Sequence, residues 1–369
     1  MEIKESIKMI LNAGLTNQKI DIGHLFEDKN FMRIMREQTF QSWLYYVCPN
    51  ENFQKYYLGS AIIHNQFDNM VSKMKVIFEK ENIDYIILKG YSLQELYPDR
   101  NLRMLGDVDV LVREEDYKRA KKALSQSEFK LKNVLDHHSS FGLGQIEIEL
   151  HHKMINTEYF FHDYFVDGFK HASLKEGNEY VLDDDYNFIF ILAHYLKHLK
   201  QGAGLRELID IYLMLNNMNI NIDNVRNVLK EHNCENFFDL ILHEIDILFG
   251  YNKIPYQKNK YVEEILDFSI CSGIHGFGEN NRWVATRMNN SSGGKFKFLL
   301  KTLFIPLESL FALYPWTKSI ILIPFGYIYR FFFLLFKRGN RLKQVVNAKK
   351  NKKELSIFEK IGLNIDDIK

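Results

Sequence analysis

The sequence predicts an α+β fold: a small mixed-sheet core flanked by N-terminal and C-terminal helical regions. Three observations predict it. Residues 1–80 carry apolar side chains at helical intervals, residues 85–150 break into short apolar runs of strand length, and helical periodicity returns from about Asp183. At 369 residues the chain exceeds one ordinary domain. The shifts in pattern divide it into 1–80, 81–180, 181–295 and 296–369, the last an apolar helical segment with a basic tail.

In the first region Phe31, Ile34, Met35, Phe40, Trp43, Leu44 and Tyr46 recur at helical spacing until Pro49 breaks the pattern. A second helix is expected over residues 52–78 on the stripe Ile62, Ile63, Phe67, Met70, Met74 and Ile77. Residues 85–88 read as a strand ending in Lys89-Gly90, followed by a short helix through Leu93, Leu96 and Tyr97 that stops before Pro98. Residues 108–112 read as a second strand, and 114–124 as an amphipathic helix whose acidic first turn suits its dipole. Residues 129–134 and 145–150 read as two further strands, with 136–142 as the loop between them. From Asp183 the stripe Phe188, Ile191, Leu192, Tyr195, Leu196 and Leu199 marks a helix ended by Gly202 and Gly204, and residues 205–215 begin the next.

Charge is balanced at a net +1, which argues against a long nucleic acid as the main partner. Cys48, Cys234 and Cys271 are odd in number and lack CxxC spacing, as expected of free thiols in a reducing compartment. The first residues lack the apolar stretch of a signal peptide, so a cytoplasmic location is expected. Residues 319–336 form the most apolar window, interrupted by Pro324, Gly326 and Arg330. A charge near the middle of a bilayer helix costs about 2.5–3.5 kcal/mol, so a clean span is not expected. Two readings stand: a buried helix followed by a solvated tail, or an interfacial helix whose basic flank, within 319–353, holds the chain peripherally at the inner membrane face.

The chemistry concentrates around Arg103-Met-Leu-Gly-Asp-Val-Asp-Val-Leu-Val. Strand alternation puts the Asp107 and Asp109 carboxylates on one face, where they repel unless a cation lies between them, and hard cations such as Mg²⁺ take oxygen ligands. Lys89-Gly90-Tyr91-Ser92 opens a helix after a strand, a place where backbone N–H groups hold phosphate, although it is not a Walker loop. Alternation in Ile146-Glu-Ile-Glu-Leu-His puts Glu147, Glu149 and His151 on one face. Beside the Asp107/Asp109 strand, Glu149 would complete the carboxylate set that two Mg²⁺ ions need; on its own strand it would merely face water. His194 and His198 have zinc-ligand spacing without an evident third ligand, and are otherwise ordinary core residues. Arg206 and Asp210 read most simply as an intrahelical ion pair. His137, His138 and His151 either touch substrate or decorate a loop.

The Gly-Ser turn, Asp-x-Asp strand and later third acid resemble the polymerase-beta-like nucleotidyltransferase superfamily. More closely, LKG…LYP…R…GDVDVLV, ELHH and GLREL-ID are similar to a broad bacterial family of uncharacterised nucleotidyltransferases, over about residues 85–215. The resemblance implies that Asp107 and Asp109 are the metal-binding pair and Glu149 the third acid. It implies further that Lys89, Gly90 and Ser92 form the phosphate-side turn, and that Arg103 and Gly106 lead into the acidic strand. The turn departs from the usual Gly-Ser, reading Lys-Gly-Tyr-Ser. The helical unit is expected to close over the pocket with His198 and Arg206 pointing in. The implied reaction is Mg²⁺-dependent transfer of a nucleoside monophosphate from a nucleoside triphosphate to a hydroxyl of a small-molecule, sugar or protein acceptor. The alternatives are a nucleotide-binding module without turnover, motivated by the altered turn, and a toxin–antitoxin type enzyme acting on protein or RNA.

Overall fold

The computed structural model describes residues 3–134, 138–155, 161–199, 203–274, 300, 303–305 and 307–337. The first helices are α1 (Ile3–Leu15), α2 (Lys29–Glu37), α3 (Gln41–Val47) and α4 (Glu51–Lys80). Asp28 caps α2 by accepting from the Asn30 and Phe31 amides, and Asn50 caps α4 by accepting from that of Asn52. The helical pattern over residues 31–46 is thus two helices. They part at Thr39, whose φ of 58° is left-handed, and at Gln38, which turns inward.

The sheet then forms from β1 (Tyr85–Leu88), β2 (Val108–Val112), β3 (Lys130–Val134), β4 (His138–Leu143), β5 (Ile146–His151), β6 (Ala172–Glu176) and β7 (Glu179–Leu182). Its order is β3-β4-β5-β2-β1-β7-β6. It is mixed: β2 runs parallel to β5 and β1 parallel to β7, and the other pairs are antiparallel. Helix α5 (Lys89–Leu93) follows β1 directly, and α6 (Tyr117–Ser125) follows β2. All five residues of β2 are buried, as befits an apolar run at the sheet centre.

Three strands lie where the sequence suggested none. The stretch 138–142, expected as a loop, is buried as β4 between β3 and β5. His-Ser-Ser-Phe-Gly carries no apolar alternation, so pairing on both sides overrides weak local preference. The hairpin β6–β7 has an exposed outer strand and extends the far side of the sheet.

Beyond the sheet come α7 (Asp184–Leu199), α8 (Arg206–Asn217), α9 (Ile222–Glu231), α10 (Glu235–Phe249) and α11 (Val262–Ser272). These helices share one core with α1–α3: Ile7, Ile10, Trp43 and Leu44 pack in the same cluster as Leu192, Leu196, Phe238 and Ile241. Gln38, fully buried, ties three elements together. Its amide nitrogen donates to the carbonyls of Ser269 and Ile270 at 2.9 and 2.8 Å, and its oxygen accepts from the Leu205 amide at the start of α8 at 2.9 Å. A second core lies on the other sheet face, where Phe67, Met70, Met74 and Phe78 of α4 meet Val108, Val110 and Ile148.

Helices α12 (Leu307–Leu313) and α13 (Ile323–Lys337) complete the described chain, and α12 lies against β3. The reading of 319–336 as a buried helix is overturned: Phe325, Ile328, Phe331, Phe332 and Phe336 are 57, 53, 45, 50 and 76 % exposed. Among the described residues no helix is long and apolar enough to cross a membrane. The basic tail beyond Lys337, His137, and Gly202 lie outside the described residues.

Candidate active site

A cavity of about 410 Å³ opens between the sheet and the helices α7 and α8. The strands contribute Asp109, His138, Glu149 and His151; the start of α5 contributes Lys89 and Gly90, and the segment leading into β2 contributes Arg103, Gly106 and Asp107; α7 and α8 contribute Phe190, His194, Lys197, His198, Arg206 and Asp210. Of the residues expected from sequence, the structure gathers Asp107, Asp109, Glu149, Lys89, Gly90, Arg103, Gly106, His198 and Arg206 at this one wall-to-wall gap. Ser92 is not among them. Its hydroxyl donates to the Lys89 carbonyl at 2.8 Å, and it lines a separate, smaller pocket with Leu93 and Val181.

The carboxylates meet because β2 and β5 pair in parallel with Asp109 opposite Glu149. Asp109 is the most engaged of the three. Lys89 Nζ donates to its Oδ1 at 2.8 Å, and His151 Nε2 stands 2.9 Å from the same oxygen. Burial alone would raise the Asp109 carboxyl, but Lys89 and His151 outweigh it and hold the group well below the usual carboxylate range. Asp107 behaves in the opposite way. Its carboxylate is exposed to the cavity, although protein atoms crowd around it. That desolvation, with the charges of Asp109 and Glu149, raises it to about 7. Glu149 is lowered despite its burial, because His151 and His138 stand beside it.

Lys89 reaches Asp109 from a left-handed backbone, φ 51°, at the β1–α5 turn. Gly90 has no room for a side chain, since a Cβ there would lie 2.7 Å from Arg103 Nη1. Arg103 in turn makes a two-pronged contact with Asp210: Nε to Oδ1 at 2.9 Å and Nη2 to Oδ2 at 2.7 Å. Tyr97 donates its hydroxyl to Asp210 Oδ1 at 2.7 Å. The expected intrahelical Arg206–Asp210 pair is therefore corrected: Asp210 holds α8 to the segment leading into β2. Arg206 contacts its neighbour Glu207 at 3.2 Å and faces the cavity. That segment is itself fixed from the N-terminal helices, where Trp43 Nε1 donates to the Leu102 carbonyl at 2.8 Å and Ser60 Oγ to that of Asn101 at 2.9 Å.

His194 and His198 stand one turn apart on α7 and line the cavity, Nε2 to Nε2 at 3.1 Å. The residues whose weight sequence reasoning underrated are His138 and His151. The signal was present for His151, which shares the Glu149 face by alternation; for His138 it was hidden, because its strand was expected as a loop. Glu147, placed on the same face, instead accepts from Lys132 at 2.8 Å.

Whether this wall fits divalent cations can be judged from its charges. Asp107, Asp109 and Glu149 line one cavity, desolvation and then the neighbouring acids push Asp107 up, and Asp109 already draws in Lys89 as a counter-charge. Oxygen-rich, under-neutralised and open to a cavity, the set suits a hard cation. No curated protein and no solved structure is found to match the chain. A family model described as "Uncharacterised nucleotidyltransferase" matches residues 46–250, which takes in the whole cavity wall from Lys89 to Asp210. More than half of the chain is covered, and the chain belongs to this family of nucleotidyltransferases.

Proposed function

We propose that this enzyme moves a nucleoside monophosphate from a nucleoside triphosphate to a hydroxyl of a small-molecule, sugar or protein acceptor, releasing pyrophosphate. The observation that carries the reading is the pairing of Asp109 with Glu149 across β2 and β5, with Asp107 and Lys89 on the same cavity wall. Asp107, Asp109 and Glu149 would hold Mg²⁺. When bound, two such ions would neutralise the triphosphate and make the acceptor hydroxyl easier to deprotonate. Lys89, released from Asp109 by that charge, would turn its ammonium to a phosphate oxygen. Arg206 and His198 line the cavity from the facing helices and would bind the distal phosphates or the acceptor; the planar fork of Arg suits either a phosphate or a carboxylate. Glu149 or Asp109 would accept the proton of the acceptor hydroxyl, and Glu149 is the less engaged of the two, since His151 stands 2.9 Å from Asp109 and 3.5 Å from Glu149. The balanced charge of the chain favours a compact acceptor over a long nucleic acid. The exposed aromatic face of α13, which ends in Lys337 and is followed in sequence by Arg338, Arg341 and Lys343, supports a peripheral contact with an anionic membrane surface.

Isothermal titration with a panel of nucleoside triphosphates, with and without Mg²⁺, tests the central reading. Metal-dependent binding that disappears in Asp107→Asn/Asp109→Asn is expected. Binding that ignores both metal and substitution, or no binding of any nucleotide, would refute it.

A further inference from the structure

We infer that His138 and His151, together with Glu149, form a metal site selective for a divalent cation of the Zn²⁺ or Co²⁺ class over Mg²⁺. The register of β4 and β5 sets His138 directly opposite His151, and Glu149 lies two residues earlier on the same face. Glu149 Oε1 is 3.5 Å from His138 Nε2, and its Oε2 is 3.5 Å from His151 Nε2. One ligand atom from each of the three lies within 4.8 Å of the other two. A tetrahedral ion with bonds of about 2.0–2.1 Å separates its ligands by about 3.3 Å, close to the 3.5 Å that each imidazole nitrogen keeps from a Glu149 oxygen, so rotation of the Glu149 carboxylate and a closing of the two rings would bring the set onto an ion.

The rings are already positioned. His138 and His151 are 6 and 3 % exposed, their centroids are 4.9 Å apart, and backbone pairing fixes both strands. All three residues line the cavity, so a solvent or substrate oxygen could complete the coordination. Asp109 Oδ1, 2.9 Å from His151 Nε2, would exchange that contact for a place as fourth ligand or as a bridge towards Asp107. Two imidazoles and one carboxylate are a borderline donor set, whereas Mg²⁺ asks for near-octahedral oxygen. The site shares Glu149 with the carboxylates proposed to hold Mg²⁺, but its test needs no nucleotide and is carried by the two histidines, so its failure is distinguishable from failure of the nucleotidyl-transfer reading.

The test is titration of the full-length chain with Co²⁺, read by visible absorption, followed by competition with Zn²⁺ and with Mg²⁺. Intense d–d bands of a four- or five-coordinate ion are expected, displaced by one equivalent of Zn²⁺ and unmoved by millimolar Mg²⁺. His138→Gln and His151→Gln should each weaken Co²⁺ binding at least about 10-fold, while Asp107→Asn keeps the bands. His138→Cys guards against a variant that merely misfolds: it should add a thiolate-to-cobalt band in the near ultraviolet. Weak octahedral absorption, displacement by Mg²⁺, or a His138→Cys protein that binds Co²⁺ without the new band would overturn the inference.

Discussion

Removing the Asp210 carboxylate should loosen the whole site from behind. Asp210→Asn leaves the Arg103 guanidinium buried and uncompensated in a place where both side chains are nearly sealed, at 6 and 4 % exposure. Breaking one partner of such a pair costs about 3–5 kcal/mol, and weakening the Tyr97 hydrogen bond adds about 1 kcal/mol. Against a total stability of about 5–15 kcal/mol for a domain, that is a large fraction. An ion pair nearer the surface provides the contrast: Arg33–Glu37, at 33 and 23 % exposure, should lose no more than about 0.5 kcal/mol in Glu37→Gln. Urea unfolding at pH 7 of wild type, Asp210→Asn, Glu37→Gln and the paired apolar variant Arg103→Met/Asp210→Leu separates the effects. The apolar pair should recover most of the loss, because the penalty comes from stranding a charge and not from losing attraction. If Asp210→Asn cost under about 1 kcal/mol, or the apolar pair fared worse than Asp210→Asn, the contact would be no structural latch between α8 and the sheet.

Two further predictions follow from groups away from the cavity. Glu244 is fully buried with neither oxygen hydrogen-bonded, and burial pushes its carboxyl up to about 8 from the ordinary 4.5. The native chain therefore keeps a proton that the unfolded chain releases, so stability should fall as pH rises from about 4.5 to about 8. The loss is on the order of 5 kcal/mol at its upper bound. Glu244→Gln should match wild type near pH 4.5 and exceed it by several kcal/mol at pH 8 in urea unfolding; parallel pH slopes for the two proteins would contradict this. In flotation, the full chain should rise with anionic vesicles and stay behind with zwitterionic ones, and Phe332→Glu/Phe336→Glu should abolish the difference. Equal recovery of wild type and variant would remove α13 as the contact.

Much of this architecture is legible in the chain because local pattern and tertiary environment agree. Tyr85–Leu88 and Val108–Val112 are apolar runs in the sequence and central strands in the fold, and Asp107 and Asp109 stand out against them. The convergence with Glu149 was conditional on which strands pair, a non-local fact that alternation alone cannot supply. Where local signal is weak, the reading failed. Residues 138–142 owe their strand to two neighbours and not to their own composition. Asp210 shows the limit from another side: spacing of four on a helix suggested Arg206, but a buried guanidinium 107 positions away in sequence offered two hydrogen bonds and the stronger claim. The exposure of α13 was equally hidden, since an apolar run reads the same whether its partner is the core or a surface outside the chain.

The cavity draws on chain segments near residues 89–90, 103–109, 138–151 and 190–210, so no stretch contains it. Its register-dependent halves, Asp109 opposite Glu149 and His138 opposite His151, come together only when the sheet has closed on the correct pairing. A compound that fits the cavity therefore meets its binding groups in the native state alone, and its affinity is returned in full as resistance to unfolding. By mass action that amounts to about 2.7 kcal/mol at a hundredfold excess over Kd. Melting temperature thus becomes a direct readout of occupancy for this protein, and a library of hydroxyl-bearing compounds can be searched for the acceptor without knowing which bond the enzyme makes.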